Sequence, residues 1–164
     1  EPWMGRRDLE GLRWSDPSAW HLTLAFLGEI DASAVSKVVS LARGVAERHG
    51  PMRLPAAGVG AFPTPGRASV AWYGIGDPRS GLAALARDLG SELGVEVGDP
   101  FRPHVTLARA RREPVDLRRW ISDAAQAAPA TIVVRRIELM RSHRGRGPAA
   151  YETLASIPLT GASA

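Results

Sequence analysis

The chain has 164 residues, of which 45% are hydrophobic and 6% aromatic, a length and composition typical of a single compact domain. It contains no cysteine, which excludes disulfide scaffolds, thiolate metal sites and thiol nucleophiles. The net charge of +4 comes almost wholly from arginine, because Lys37 is the only lysine, and so modest a basic balance is weak evidence for a polyanionic partner.

The first half of the chain is predicted to form a strand, a helix and a hairpin. The strand is a short apolar run closed by Gly28, and the helix carries apolar residues at helical spacing after Asp31 and Ser33, which can cap it. A connection rich in proline and glycine joins the two strands of the hairpin. The predicted ranges are Trp20–Leu27 for the strand, Ala32–Arg48 for the helix, and Met52–Phe62 and Ser69–Ile75 for the hairpin.

The second half repeats this order at an offset of 83 residues, measured from His21 to His104. A repeat of this length predicts two similar lobes and not a solenoid, which needs shorter and more numerous units. One further helix, Pro78–Leu93, is predicted between the halves. The second set of ranges is Phe101–Ala108 for the strand, Glu113–Ala127 for the helix, and Thr131–Arg141 and Ala150–Ile157 for two strands around the loop Arg144–Pro148.

The start of the chain is shorter than the repeat requires. A helix and a strand should precede His21, yet only about 20 residues stand there, and the first of them is Glu1 and not methionine. Residues 1–9 fit the end of a helix, and Leu12–Trp14 fits a short edge strand. We therefore expect that an N-terminal strand and part of a helix precede the printed sequence.

A short motif with chemical potential occurs once in each half. Two of the four histidines are followed two positions later by threonine, in HLTL from His21 and in HVTL from His104. A single histidine-x-threonine means nothing, but its duplication at equivalent predicted strands is improbable by chance.

The spacing places the polar side chains of each motif on one face of its strand, because side chains alternate along a strand. If the strands face one another across a pseudo-twofold axis, His21, Thr23, His104 and Thr106 converge on one cleft. Two imidazoles and two hydroxyls without a carboxylate cluster suit a phosphate better than a metal ion. A neutral imidazole can act as general base and a protonated one as general acid, while hydroxyls hold the phosphate oxygens.

The motifs HLTLAFLGEI and HVTLARA resemble the two signature motifs of the two-histidine (2H) phosphoesterase superfamily. They are most similar to those of the bacterial and archaeal RNA 2′,3′-cyclic phosphodiesterases, also called 2′-5′ RNA ligases, and the likeness covers nearly the whole chain. The resemblance implies an α+β fold that is bilobal, with two antiparallel sheets in pseudo-twofold symmetry around a central cleft and helices on the outside. It implies one catalytic domain over residues 1–164, with motif halves at about 20–75 and 101–158.

The resemblance also implies an activity that needs neither cofactor nor metal, the hydrolysis of a 2′,3′-cyclic phosphate at an RNA 3′ end to a 2′-phosphomonoester. His21 matches the general acid that protonates the departing 3′ oxygen, and His104 matches the general base that activates water. Thr23 and Thr106 match the residues that bind the phosphate. The resemblance further implies that the same site could join or cleave 2′-5′ linkages.

Two residues near the motifs match further positions of the family. Arg109 matches a basic phosphate-binding position, although strict alternation would turn it away from His104 unless the strand ends or twists there. Phe26 matches an aromatic residue that could touch the base, although alternation places it on the buried face.

Simpler explanations suffice for the other candidates. His49 is expected to be a solvated imidazole at a helix C-terminus, with no role in the site. His143 lies with three arginines in the last hairpin, where a solvated loop is the simpler explanation, although this basic loop could hold an RNA backbone. The aromatic residues divide into Trp20, Trp72 and Tyr73, expected in the core, and Trp14 and Tyr151, which could stack on a base at the mouth of the cleft.

The expected partners are RNA 3′ ends or cyclic nucleotides, bound by a monomer in the cytoplasm. No membrane partner is expected, because no apolar run approaches the roughly 20 residues that a spanning helix needs. Two alternatives stay open: a module of the same fold that binds RNA ends without chemistry, and a metal site at the histidines, which would carry stoichiometric zinc.

Overall fold

The computed structural model describes residues 9–98, 100–124, 130–143 and 150–162, which form strands, helices and two short 3₁₀ turns. The 3₁₀ turns span Pro17–Ala19 and Ala32–Ala34. The strands are β1 (Leu12–Trp14), β2 (Met52–Thr64), β3 (Arg67–Ile75), β4 (His104–Ala110), β5 (Thr131–Val134), β6 (Arg136–His143) and β7 (Ala150–Pro158). The helices are α1 (Val35–Ala46), α2 (Gly81–Leu93) and α3 (Arg118–Ala124).

The described strands form two antiparallel sheets, which confirms the predicted α+β fold class. The larger sheet has five strands in the order β1-β4-β3-β2-β5, and the smaller one consists of β6 and β7. β4 belongs to the second half of the chain but lies between β1 and β3 of the first half. The two halves are therefore interleaved within one sheet.

Helices cover each sheet from the side that carries its core. α3 packs on the larger sheet, and α1 packs on α2 and on both strands of the smaller sheet. A third cluster around Leu82 joins the two cores and also takes up Leu22 and Val105 of the histidine motifs. The core of the larger sheet consists of Leu12, Ala61, Ala68, Ala71, Leu107, Ala108, Leu117 and Trp120, and that of the smaller sheet of Ala42, Val45, Ala46, Leu85, Leu89, Ile137, Ile157 and Leu159.

The predicted strand over Trp20–Leu27 is wrong as a continuous element. Only Leu22 pairs, in one isolated antiparallel bridge to Val105. The reason lies in the free edge of β4: β1 already pairs with its last three residues, and the N–H of Ser15 donates to the carbonyl of Leu107 at 2.8 Å. Little of β4 is left for the motif segment to pair with.

The predicted helices exist, but all three begin later than expected, α1 at Val35 and not at Ala32. α3 begins at Arg118 and not at Glu113, because Val115 exchanges two backbone hydrogen bonds with Ala68, of 2.8 and 2.9 Å, and is therefore extended. α2 begins at Gly81 after a turn in which the carboxylate of Asp77 accepts the N–H of Ala83 at 2.9 Å. Residues 125–129, where the predicted end of α3 falls, lie outside the described part.

Two further details differ from the predictions. The side chains expected to cap α1 make no capping hydrogen bond, since a 3₁₀ turn precedes that helix and its N-cap is Ala34. The predicted strand Thr131–Arg141 is two strands, because β5 pairs with β2 in the larger sheet whereas β6 pairs with β7, so the chain crosses between sheets at Arg135. The edge strand Leu12–Trp14 is confirmed.

His49 was expected to be a solvated imidazole because of its position after α1. That expectation is wrong, because the side chain joins two helices. Its Nε2 lies 2.9 Å from Oδ2 of Asp88 on α2, and its side chain is only 13% exposed. The hydrogen bond from His49 lowers the pKa of Asp88 below its ordinary value, and the positive charges of His49 and Arg87 act in the same direction. The pair therefore holds the end of α1 to the middle of α2.

Trp72 lies flat on Gly60, its direct neighbour across the β2–β3 hairpin. A Cβ atom at Gly60 would overlap the indole ring, whereas a Cβ atom at Gly44, in α1, would meet nothing within 4 Å. Glycine is thus required at the first position and merely tolerated at the second.

None of the helices in the described ranges is long and apolar enough to cross a membrane.

Replacing Asp88 with Asn should destabilise the protein at neutral pH and flatten its response to acid. A lowered carboxyl pKa stabilises the folded protein at pH values above the ordinary aspartate pKa of 3.8. This contribution is lost as the pH falls through the folded-state pKa. We expect a loss of about 1 kcal/mol in the free energy of unfolding at neutral pH, shrinking in acid, measured by urea denaturation over a pH series. Glu92→Gln, at an exposed pair with Arg48, is the control and should change little; equal losses for both variants would contradict the prediction.

Replacing Gly60 with Ala should lower the free energy of unfolding by about 1–3 kcal/mol, because the indole of Trp72 must leave its place. Gly44→Ala has the opposite expected sign, a gain of up to about 1 kcal/mol, because it removes a glycine from a helix without a clash. Thermal and urea unfolding of both variants measure the difference, and a neutral Gly60→Ala would show that the ring moves at no cost.

Candidate active site

The two histidine motifs meet at a single antiparallel bridge between Leu22 and Val105. These two residues are separated by the same 83 positions as the two histidines, so the pseudo-twofold relation of the halves passes through this bridge. In antiparallel pairing the flanking residues lie opposite one another, about 4.5–5.5 Å apart at Cα. The bridge therefore sets His21 opposite Thr106, and Thr23 opposite His104.

All four polar side chains of the motifs lie on the face of β4 that is turned away from the core. Leu22 and Val105 pack into the hydrophobic cluster around Leu82, and the alternating residues on either side of them face the other way. His21, Thr23, His104 and Thr106 are each half-buried. The structure thus brings together the four residues singled out from the sequence; their common surface is called the histidine face below.

Each imidazole is held by the backbone two residues before it. Nδ1 of His21 donates to the carbonyl of Ala19 at 2.8 Å, and Nδ1 of His104 donates to the carbonyl of Arg102 at 2.6 Å. A carbonyl oxygen only accepts hydrogen bonds, so the hydrogen must be on Nδ1 in both cases. Nε2 is then the nitrogen that gains or loses a proton in each ring.

Each histidine also packs edge-on against an aromatic ring from the other half of the chain. His21 lies 4.5 Å from Tyr151 of β7, and His104 lies 5.2 Å from Phe62 of β2, both measured between ring centroids. Trp72 lies next to Phe62 and 6.2 Å from His104. The expectation that Trp72 belongs to the core is therefore wrong, whereas Tyr151 is partly exposed beside the site, as expected.

Arg109 lies on the histidine face because of a β-bulge. Thr106 pairs with Trp72 of β3, and Ala108 pairs with the adjacent Ala71, so Leu107 is an extra residue in β4. The bulge reverses the alternation, and Arg109, opposite Val70, returns to the side of Thr106. The obstacle that strict alternation raised against Arg109 is thereby removed.

The other candidates are placed as follows. The side chain of Phe26 is 80% exposed, so its predicted burial is wrong, because the segment leaves the sheet after Leu22. Trp14 packs edge-on against Trp120 in the core and is not at the site. His143 hydrogen-bonds Glu152 on the neighbouring strand. The basic loop 144–148 lies outside the described residues, as do residues 1–8.

Sequence reasoning missed Phe62 and Trp72 at the site. The strand β3 is apolar on both faces, so alternation cannot tell which face is the core. The one available signal is Gly60, a small residue directly opposite a tryptophan. Over the ranges described, no group of three or more His, Asp or Glu side chains is arranged to hold a metal ion.

Comparison with known proteins agrees with this geometry. A family profile described as LigT like phosphoesterase matches residues 5–72 and 75–151. An "RNA 2′,3′-cyclic phosphodiesterase" of Geobacillus stearothermophilus is 30% identical over 91% of this chain and 48% of its own length. One of the same name from Aeropyrum pernix is 30% identical over 82% of this chain and 79% of its own.

A solved structure extends the likeness to three dimensions. Escherichia coli LigT, crystallised with 3′-AMP, superposes with a TM-score of 0.70 at 29% identity, covering 92% of this chain and 83% of that one. The chain spans about half the length of the first of the curated relatives it matches, and most of the Aeropyrum protein. With its fold, its paired motifs and the match over both halves, the chain belongs to the LigT-like phosphoesterase family of the 2H superfamily.

Proposed function

We propose that this protein is an RNA 2′,3′-cyclic phosphodiesterase, which opens the cyclic phosphate at an RNA 3′ end to a 2′-phosphomonoester. The observation that carries the proposal is the matched pair of imidazoles on the histidine face, each with Nδ1 occupied by its own backbone and Nε2 left for proton transfer. Two relatives of the chain bear the name of this activity.

The reaction needs one proton removed and one proton supplied. A neutral Nε2 of His104 takes a proton from water as the water oxygen bonds to phosphorus, and a protonated Nε2 of His21 gives a proton to the 3′ oxygen as its bond to phosphorus breaks. The proton balance closes within the pair, and the product is the 2′-phosphomonoester with a free 3′ hydroxyl. Imidazole suits both tasks, because it changes charge near neutral pH.

The hydroxyls and Arg109 serve the phosphate. Thr23 and Thr106 sit opposite the two histidines, so that each hydroxyl can donate to a non-bridging oxygen while negative charge grows on it. Arg109 shares this face and adds a positive charge on one side of the phosphate.

The same geometry supports a second reaction type. With the 5′ hydroxyl of a second RNA in place of water, the same steps join a 2′-5′ linkage. The reverse reaction, in which the two nearly equivalent histidines exchange the acid and base roles, cleaves that linkage and restores the cyclic phosphate. A module that binds RNA ends without chemistry is the competing proposal, and it leaves the backbone-held tautomers of both histidines unexplained.

We further propose that the 164 residues act as one bilobal catalytic unit, working as a monomer on RNA ends in the cytoplasm. The interleaving of β4 between β1 and β3 supports the single unit, since neither half can complete its sheet alone. The proposed substrate, an RNA end or a cyclic nucleotide, supports the cytoplasmic location.

His21→Ala and His104→Ala should each lower kcat for a 2′,3′-cyclic phosphate by about 10²–10⁴-fold, since each removes one proton-transfer group. Product formation is measured in the presence of EDTA, with 2′-phosphates separated from 3′-phosphates. The assay temperature is kept below the melting temperature of each variant. His49→Gln, away from the site, is the matched control and should turn over normally. Full activity of the double histidine variant would refute the proposal, and loss of wild-type activity in EDTA together with stoichiometric zinc would favour the metal site.

A substrate whose leaving group needs no proton should separate the two roles. With a nitrophenolate leaving group, His21→Ala should recover most of its activity, because the general acid becomes dispensable, whereas His104→Ala should remain impaired. The measurement is the rate of each variant on this diester, compared with its rate on the ribose cyclic phosphate. The opposite pattern would exchange the acid and base assignments.

A further inference from the structure

A second arginine accompanies Arg109 on the histidine face. Arg13 of β1 lies directly opposite Arg109 of β4 in the antiparallel register, and both side chains are exposed. Leu12 and Trp14, on either side of Arg13, face the core, so Arg13 faces the same way as His104 and Thr106.

The strand geometry places Arg109 and Arg13 at about one internucleotide distance from the proposed position of the reacting phosphate. The partners of Thr106 and Arg109 on β3 are Trp72 and Val70, two residues apart, which corresponds to about 7 Å along the strand. Arg13 lies one strand further out, about 4.8 Å beyond Arg109. This separation resembles the distance between neighbouring phosphates of an extended nucleic-acid strand.

We infer that Arg13 binds the phosphodiester on the 5′ side of the terminal nucleoside and so selects oligonucleotide ends over mononucleoside cyclic phosphates. The inference rests on the proposed function, since it takes the cyclic phosphate to lie between the histidines. Arginine suits this task because its planar guanidinium donates two parallel hydrogen bonds to a phosphate. A mononucleoside 2′,3′-cyclic phosphate has no second phosphate and gains nothing from Arg13.

Space for the preceding nucleoside lies beside Arg13. The residue lines an open surface groove of about 740 Å³ together with Arg111 and Arg112, and the carboxylates of Glu10 and Glu113 also border it. Arg111 is held there by a hydrogen bond from its Nε to the carbonyl of Leu12 at 3.1 Å. The bound RNA would run from the histidines past Arg109 and Arg13 towards this groove.

The test compares two substrates in one set of variants. For wild type, Arg13→Gln and Arg13→Lys, kcat/KM is measured on adenosine 2′,3′-cyclic phosphate and on a diadenylate with the same cyclic end. We expect Arg13→Gln to lower the diadenylate-to-adenosine ratio by about tenfold or more, through KM, and Arg13→Lys to restore part of it. Arg119→Gln removes the same charge from α3, on the opposite side of the larger sheet, and should leave the ratio unchanged.

A binding measurement separates this inference from the proposed activity. A fluorescent oligoadenylate ending in a 2′-phosphate is titrated in His104→Ala, with and without Arg13→Gln, over a range of salt concentrations. Loss of one phosphate contact should reduce the slope of log affinity against log salt by about 0.7. An unchanged ratio with an unchanged slope overturns the role of Arg13, as does an equal loss on both substrates. Absence of turnover in wild type, with the slope still reduced, overturns only the activity.

Discussion

The antiparallel bridge between Leu22 and Val105 is the constraint on which the site depends. It joins two positions that are equivalent in the repeat, so each motif supplies its histidine beside the threonine of the other. The apolar partners of the bridge are anchored in the cluster around Leu82, which keeps the polar side chains on the opposite surface. A shift of one residue in this pairing would turn His21 into the core and leave Leu22 on the histidine face in its place, since β4 is held separately by β1 and β3.

The interleaving of the two halves protects this bridge. β4 of the second half is inserted into the sheet of the first, and α1 of the first half covers the smaller sheet of the second. The aromatic contacts follow the same rule, since Tyr151 packs on His21 and Phe62 on His104. Each half therefore orients the histidine of the other, and a local opening of either half would disturb both histidines together.

The sequence alone predicted the elements whose signals are local. The hairpin β2–β3, the edge strand β1 and the convergence of the two motifs follow from periodicity, turn residues and duplication. The broken strand after Leu22 and the late start of α3 do not, because they depend on which edges of β4 and β3 are already occupied by distant segments. The bulge at Leu107 is equally invisible, since an extra residue shows only when two strands are laid side by side. His49 was misjudged because its partner, Asp88, is far away in sequence.

The near-equivalence of the two halves ends at the sixth residue of each motif. Phe26 and Arg109 occupy corresponding positions of the two motifs, and both side chains are exposed, one of them a ring and the other a cation. Two histidines held in the same way cannot by themselves tell the 2′ oxygen of a ribose from the 3′ oxygen. Together with the different aromatic rings packed on His21 and His104, this non-matching pair makes the two halves chemically unequal, and such an inequality is what any choice between the two ribose oxygens requires.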